Sequence, residues 1–395
     1  MNYRITAELL SPLTIADNRQ SYASESLLYM PGSTLRGAIA AHYLREFGDQ
    51  HSENFQTIFV ASPISFPNLL PTTEKELFLP KPIPLTGVSC KRFKGFCFSE
   101  TTSHGVGDIL AEKVLEEYLP EILTLPACPI CNNDMKSFTG FWNGSIETPV
   151  QYNPTMIYQK HTGIDRTSGT IAQEIFYMTQ AMADYYKNED DYSKQYLAGA
   201  IHLTDKEYEI LLPVLESSLF AGADRTRGMG EIKLTLTETQ PQPTDVVQWD
   251  AAFTDRLKAL IDNKTDSNQM DQLLNGCYFT INFDSDAILM DDWLRPTAKL
   301  TPDLETIPAH HIQPILKIAR SKTIRGWNSA WGLPKSDDIA VSMGSVYLFK
   351  YNGNDVQKLN QELDQFMMNG IGLRKAEGFG RISICDNFHM IKEVI

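Results

Sequence analysis

Four of the six cysteines fall between Cys90 and Cys131, a clustering that suits a metal better than a disulfide framework. Cys128-x-x-Cys131 puts two thiolates on one tight turn, as tetrahedral zinc requires. A second pair must come from upstream, where SCKRFKGFCFSETTSHGVGD carries Cys90, Cys97 and His104. Cys90 with Cys97 and Cys90 with His104 both remain open on spacing. Cys97, between Phe96 and Phe98, also reads as apolar filling. Four protein ligands leave no position for a substrate, and no H-x-E or H-E-x-x-H sequence accompanies them. The expected zinc is therefore a structural staple. Cys277 and Cys385 stand alone in strand-like runs and read as core.

A second chemistry lies in two near-identical stretches. GADRTRGMG spans Gly222, Gly228 and Gly230; GLRKAEGFG repeats the spacing at Gly372, Gly378 and Gly380. Arg225 and Arg227 occupy the first loop, Arg374 and Lys375 the second, and Arg381 opens the strand that follows it. Glycines permit positive φ and leave N–H groups uncovered, so with these cations the turns could bind a phosphate backbone. Both loops follow a helix and open a strand. That order excludes a mononucleotide P-loop and a dinucleotide fingerprint.

Further candidates for RNA contact are basic. HTGIDRTSGT holds His161, Asp165 and Arg166 in a polar hairpin, with Arg166 suited to a phosphate. ARSKTIRGWNSAWGLP interleaves Arg320, Lys322 and Arg325 with Trp327 and Trp331, a pattern suited to a single strand. Lys91 and Arg92 lie in CKRFK, and Arg36 in PGSTLRG is placed in a first helical turn with free N–H groups. His161 could serve as general base for metal-independent RNA cleavage, though one histidine near one arginine is a weak signal. Asp337 and Asp338 lack the second carboxylate cluster of a two-metal site, and His310-His311 reads as a solvated loop.

The elements that would position these residues follow from periodicity. YRITAELL alternates as a strand, and a helix follows from Pro31 and Ser33 through Leu35, Ile39, Tyr43 and Leu44. From about 52 to 153 the texture is rich in proline and cysteine, an insertion in the first domain. Strands are expected at 156–164, 173–182 and 196–203. A helix then carries a Thr204-x-x-Glu207 capping box and the stripe Tyr208, Leu211, Leu212 and Leu215. The first domain ends near 240. A linker with a connector helix (241–272) places Trp249, Phe253 and Leu257 on one face. The second domain, 273–395, runs from the strand CYFTINF through a helix capped by Asn354 to its own glycine loop and final strand. The order βαββαβ, read twice, describes an α+β protein of two tandem ferredoxin-like (RRM-like) domains.

A chain of 395 residues with 42% hydrophobic residues suits more than one core. A net charge of −14 opposes a broad nucleic-acid surface but permits basic seams on an acidic body, and the acidic part could meet a protein partner. No run long enough for a membrane span and no leader pattern is present, so a cytoplasmic protein is expected.

PGSTLRG after a first strand, the two glycine loops before final strands, and the paired domains resemble the RAMP superfamily of CRISPR-associated proteins. HTGIDRTSGTIAQEIFY (161–177), IRGWNSAWGLPKSDDIAVSMGSV (324–346) and the cysteine insertion resemble more narrowly the type III-D subunit with two fused RAMP units. HGV after SCK is similar to the subgroup's pattern, and implies the zinc set Cys90, His104, Cys128 and Cys131. The resemblance further implies a non-catalytic subunit that caps a CRISPR RNA at its 5′ tag, beside a Cas10-type large subunit and backbone RAMP subunits, meeting target RNA only indirectly. Two alternatives are an endoribonuclease that matures the guide and a protein-only scaffold.

Overall fold

The computed structural model describes residues 1–18, 23–61, 64–74, 78–96, 104–118, 127–128, 130–164, 166–188, 191–240, 244–261, 273–328 and 332–391. Its main elements, in chain order, begin with β1 (Asn2–Leu9), α1 (Gly32–Phe47) and β2 (Leu70–Thr72). Then come β3 (Gly87–Cys90), β4 (Val106–Asp108), α2 (Leu110–Tyr118) and β5 (Met135–Ser137). A long hairpin, β6 (Met156–Ile164) and β7 (Ile171–Met182), precedes β8 (Tyr196–His202), α3 (Asp205–Leu215) and β9 (Glu231–Glu238). The chain continues with α4 (Val246–Leu260), β10 (Cys277–Phe283), β11 (Ile312–Ile318), β12 (Val346–Tyr351), α5 (Val356–Asn369) and β13 (Ile382–Ile384). No described helix is long and apolar enough to cross a membrane.

The chain divides into two compact units. One comprises Met1–Pro80, Tyr152–Pro241 and Ala376–Gly378; the other Lys81–Gln151, Gln242–Lys375 and Phe379–Ile395. In the first unit β1 lies between β8 and β9, with β2 outside β8 and Leu219–Phe220 outside β9, all antiparallel. The alternation of β1 sends Ile5, Ala7 and Leu9 into a core shared with Leu35 and Ile39 of α1 and Leu211 and Val214 of α3. The α3 capping box forms as expected: Thr204 Oγ1 accepts from the Glu207 amide and the Glu207 carboxylate accepts from the Thr204 amide. Leu212, expected on the buried stripe, is exposed; Val214 takes its place.

The second unit repeats the strand order. β10 lies between β12 and β13, with β11 outside β12, again all antiparallel. One element departs from the expected pattern. No helix joins β10 to β11 among the described residues. The connector α4, which precedes β10, packs on it instead and buries Trp249, Phe253 and Leu257. At the start of α5 the cap is Asp355, whose carboxylate accepts from the Lys358 amide, and not Asn354.

The cysteine-rich segment also departs from expectation. Residues 81–151, read as part of an insertion in the first domain, group with the second unit. The physical reason is long-range burial. α2 sets Leu110, Val114 and Leu115 into the core with Trp249, and Arg256 meets Glu112 at 2.9 Å. Trp142 meets Phe388 edge to face, and Lys81 donates to Asp386 at 2.6 Å. His389, wholly buried, bridges Asp108 and Asn282 at the same place.

Candidate RNA interface and metal centre

The two glycine loops are one structure built twice. In each, the residue two after the first glycine is left-handed (Asp224, φ +56°; Arg374, φ +57°), and a short 3-10 turn follows. Three backbone bonds match. Ala221 N donates to Gly230 O as Ile371 N does to Gly380 O, both at 2.8 Å. Ala223 N reaches Thr14 O (2.9 Å), and Leu373 N reaches Ile288 O (3.0 Å). Gly230 N reaches Pro12 O and Gly380 N reaches Asp286 O, each at 2.9 Å.

These contacts revise the role of the glycines. A Cβ on Gly230 would lie 2.0 Å from the Ala221 carbonyl oxygen, and one on Gly380 1.7 Å from that of Ile371. The last glycine of each loop is thus required by its own unit's backbone. Gly228, at φ +78°, faces open space. Gly230→Ala is therefore expected to cost more than about 3 kcal/mol in urea unfolding, against about 1 kcal/mol for Gly228→Ala, where only left-handed strain is paid. Equal losses at both positions would contradict this assignment.

In the first unit the segment Pro12–Thr14 holds the glycine loop and the β6–β7 hairpin together. Leu13 exchanges backbone hydrogen bonds with Met182 at 2.8 Å, while Pro12 and Thr14 accept from the loop. The result is a stack. His161 and Tyr177, opposite each other in the β6–β7 register, lie 4.7 Å apart with near-parallel rings. The Arg227 guanidinium sits 5.7 Å from the Tyr177 ring centroid, and its Nη1 donates to Asp224 at 3.1 Å. Arg227 is thereby oriented, with only part of its five-donor fork engaged by Asp224. Arg225 on the same turn and Arg166 on the hairpin turn are exposed. Exposed Tyr158 accepts from Gln180 Nε2.

His161 presents its ring face to Tyr177, and its buried Nε2 meets no partner among the described residues. One expected position changes here. Arg36 is the fifth residue of α1, not in its first turn, and donates to the Phe59 carbonyl at 2.7 Å. Tyr177 was not singled out from sequence; the cross-strand partner of His161 could have been read from the hairpin register alone. Asp165 lies outside the described residues.

In the second unit several basic candidates are already matched by carboxylates. Arg374 pairs with Asp338 at 2.7 Å and lies over Phe379; Arg325 faces Asp337 at 3.4 Å and Lys322 faces Asp286 at 3.5 Å. Arg381 is largely withdrawn beside Asp284, and burial pulls its pKa down to about 10. A 3-10 turn carries the exposed Lys375. Exposed Arg320 lines a cleft of about 240 Å³ with Lys136, floored by Val88 and Met135. Trp327 is exposed on a small hairpin with Leu333–Pro334, whereas Trp331 lies outside the described residues.

The metal candidates converge. β3, β4 and β5 form a three-stranded sheet; Cys90 ends β3, His104 precedes β4, and Cys128 and Cys131 precede β5. The ligating atoms of all four lie within 4.8 Å of one another. Cys131 Sγ stands 3.6 Å from Cys90 Sγ and 3.2 Å from His104 Nδ1, and Cys128 Sγ is 3.4 Å from that nitrogen. A tetrahedron with Zn–S of about 2.3 Å has edges near 3.5–3.8 Å, so the donor set fits zinc. Asn132 (φ +55°) turns the knuckle, and Cys128 N donates to Asn133 O at 2.8 Å. A hydrogen bond from Asn133 Nδ2 pulls the Cys131 thiol down to about 6, whereas burial pushes Cys128 up. Phe93 packs on His104, Arg92 lies over Phe93, and Lys91 and Arg92 are exposed beside the cluster. Cys97 lies outside the described residues.

A model of the RAMP superfamily matches residues 6–233. The chain belongs to the RAMP superfamily. Among curated proteins none matches it. Among solved structures, this RAMP protein is similar to a chain of the type III-B Cmr-beta bound to cognate target RNA, at 11% identity and TM-score 0.47, covering 96% of this chain and 95% of that one. A chain of a type IV-B CRISPR complex matches at 10% identity and TM-score 0.27, over 62% of this chain and 96% of that one. Cmr4 matches at 14% identity and TM-score 0.26, over 61% of this chain and all of that one (100%).

Proposed function

We propose that this RAMP protein is a non-catalytic, RNA-binding subunit of a CRISPR type III-D effector complex that holds the 5′ tag of the guide. The observation that carries the reading is the first glycine turn, where Arg227 is oriented by Asp224 and Tyr177 next to exposed Arg225. Such a turn offers directed cations to phosphates with little ordering cost on binding. Family membership and the motifs at 161–177 and 324–346 support the guide as the RNA. The two matching sheets support diverged ferredoxin-like copies. Cys90, His104, Cys128 and Cys131 would hold a structural zinc, which supplies folding energy to the 87–137 sheet and no open coordination position.

The stack of His161 on Tyr177 supports a binding role for that residue over one as general base. A Cas10-type large subunit and backbone RAMP subunits are the protein partners this role requires. Purifying the protein from cells that express its neighbouring genes, and sequencing the RNA that comes with it, tests the reading. Short RNAs sharing one repeat-derived end are expected. A complex free of RNA would transfer the assignment to a protein scaffold.

A further inference from the structure

Among the described large apolar residues, Trp293 and Leu294 are the most exposed, at 79% and 81%, and they are adjacent. They are also held there. Asp291 Oδ1 accepts from the Trp293 and Arg295 amides at 2.9 Å, while Oδ2 accepts from Arg295 Nε at 2.9 Å. Asp291 N and Arg295 O close the turn at 2.9 Å, as do Leu294 N and Asp291 O. The turn forces Leu294 to φ +56°, a left-handed conformation that is strained for a leucine. A turn that is strained, cross-braced and tipped with two unburied apolar side chains is built to present them.

The ground beside this knob has a definite sign. Asp291 and Asp292 also line a cleft of about 770 Å³ whose floor includes Leu289, Leu300 and Phe366. Its carboxylates continue with Asp303, Glu305 and Glu362, and they outnumber the cations: Lys299 and Lys375 in the lining, and Arg295 on Asp291. A nucleic acid would be repelled there, since its binding depends on neutralising phosphates with cations. We propose that the Trp293–Leu294 turn and this cleft dock a partner protein of the effector complex, through an apolar pocket that takes Trp293 and a flanking Lys/Arg-rich segment that enters the cleft. A buried aromatic anchor would supply most of the affinity, and charge complementarity the orientation and speed of encounter. The inference rests on the reading of the chain as a subunit of an assembly.

The test uses the assembled complex, with the photo-crosslinker p-benzoylphenylalanine in place of Trp293. The expected product joins position 293 to a Lys/Arg-rich segment of another protein of the complex. Trp293→Ala with Leu294→Ala is expected to weaken retention of that protein about thirtyfold. Asp303→Lys with Glu305→Lys, which leaves the turn intact, is expected to weaken it severalfold and flatten its salt dependence. Crosslinks to RNA, to a second copy of this chain, or to nothing would each overturn the proposal. RNA recovered equally with the parent and the Trp293/Leu294 variant keeps the two readings separate: loss of RNA from both defeats guide binding, while the crosslinked product alone decides the docking surface.

Discussion

Replacing Cys128 and Cys131 together with serine is expected to abolish zinc, from one equivalent per chain in metal analysis to none, and to lower Tm by roughly 10 °C or more. The size of the effect follows from what surrounds the cluster. Cys90 and Cys128 are buried, and β3, β4 and β5 supply only short stretches of three or four residues with little core of their own. Without metal, four donor groups would be held within 4.8 Å of one another with no counter-charge, and ionising more than one thiol there would be mutually unfavourable. His104→Ala should also lose the metal, whereas Cys97→Ser should keep it. Full zinc in the Cys128/Cys131 variant would reject the site; zinc lost with Cys97→Ser and kept with His104→Ala would exchange the fourth ligand.

The legibility of this site in the sequence was uneven. The CxxC knuckle is a local feature, and spacing alone identifies it. The upstream pair is not local: His104 reaches Cys131 because β4 and β5 both pair with β3, and nothing in the composition of SCKRFKGFCFSETTSHGVGD distinguishes His104 from Cys97 as the closer. Only resemblance to the subgroup's pattern singled out His104. The same limit explains why residues 81–151 group with the second unit although they read as an insertion in the first domain, since Trp142 with Phe388 and Glu112 with Arg256 are contacts between residues far apart in sequence.

Periodicity read the strands and helices well where one face is buried. It failed at Leu212 and Val214, because a helical stripe wide enough for both leaves the choice to the packing partner. The order βαββαβ, read twice, implied a helix between β10 and β11 that no periodic stretch had marked, and the chain instead uses α4 from the preceding segment. The repeated glycine spacing was the most informative signal, but it reported a backbone constraint. Carbonyls of Ala221 and Ile371 demand glycine at positions 230 and 380 whatever the loops bind. Function must therefore be argued from the side chains the turns carry, and there the two loops differ.

That difference sets the second large expectation. Changing Tyr177, Arg225 and Arg227 to alanine is expected to reduce guide-RNA affinity about a hundredfold at 0.15 M salt and the salt slope by about 1, the contact of Arg225, because Asp224 already faces Arg227 at 3.1 Å. Arg325→Ala with Arg374→Ala removes the same formal charge but should alter the slope by less than about 0.5. Each of those guanidiniums already faces a carboxylate, Asp337 at 3.4 Å or Asp338 at 2.7 Å, and a neutralised cation condenses no phosphate and releases no counterion. Tyr177→Phe keeps the ring under Arg227 and should retain the parent's affinity, whereas Tyr177→Ala alone frees the guanidinium and should cost about three- to tenfold. If the Arg325/Arg374 pair instead carries the slope and the first loop carries none, the grip on RNA belongs to the second unit, and the Arg227–Tyr177 stack is a brace for the hairpin.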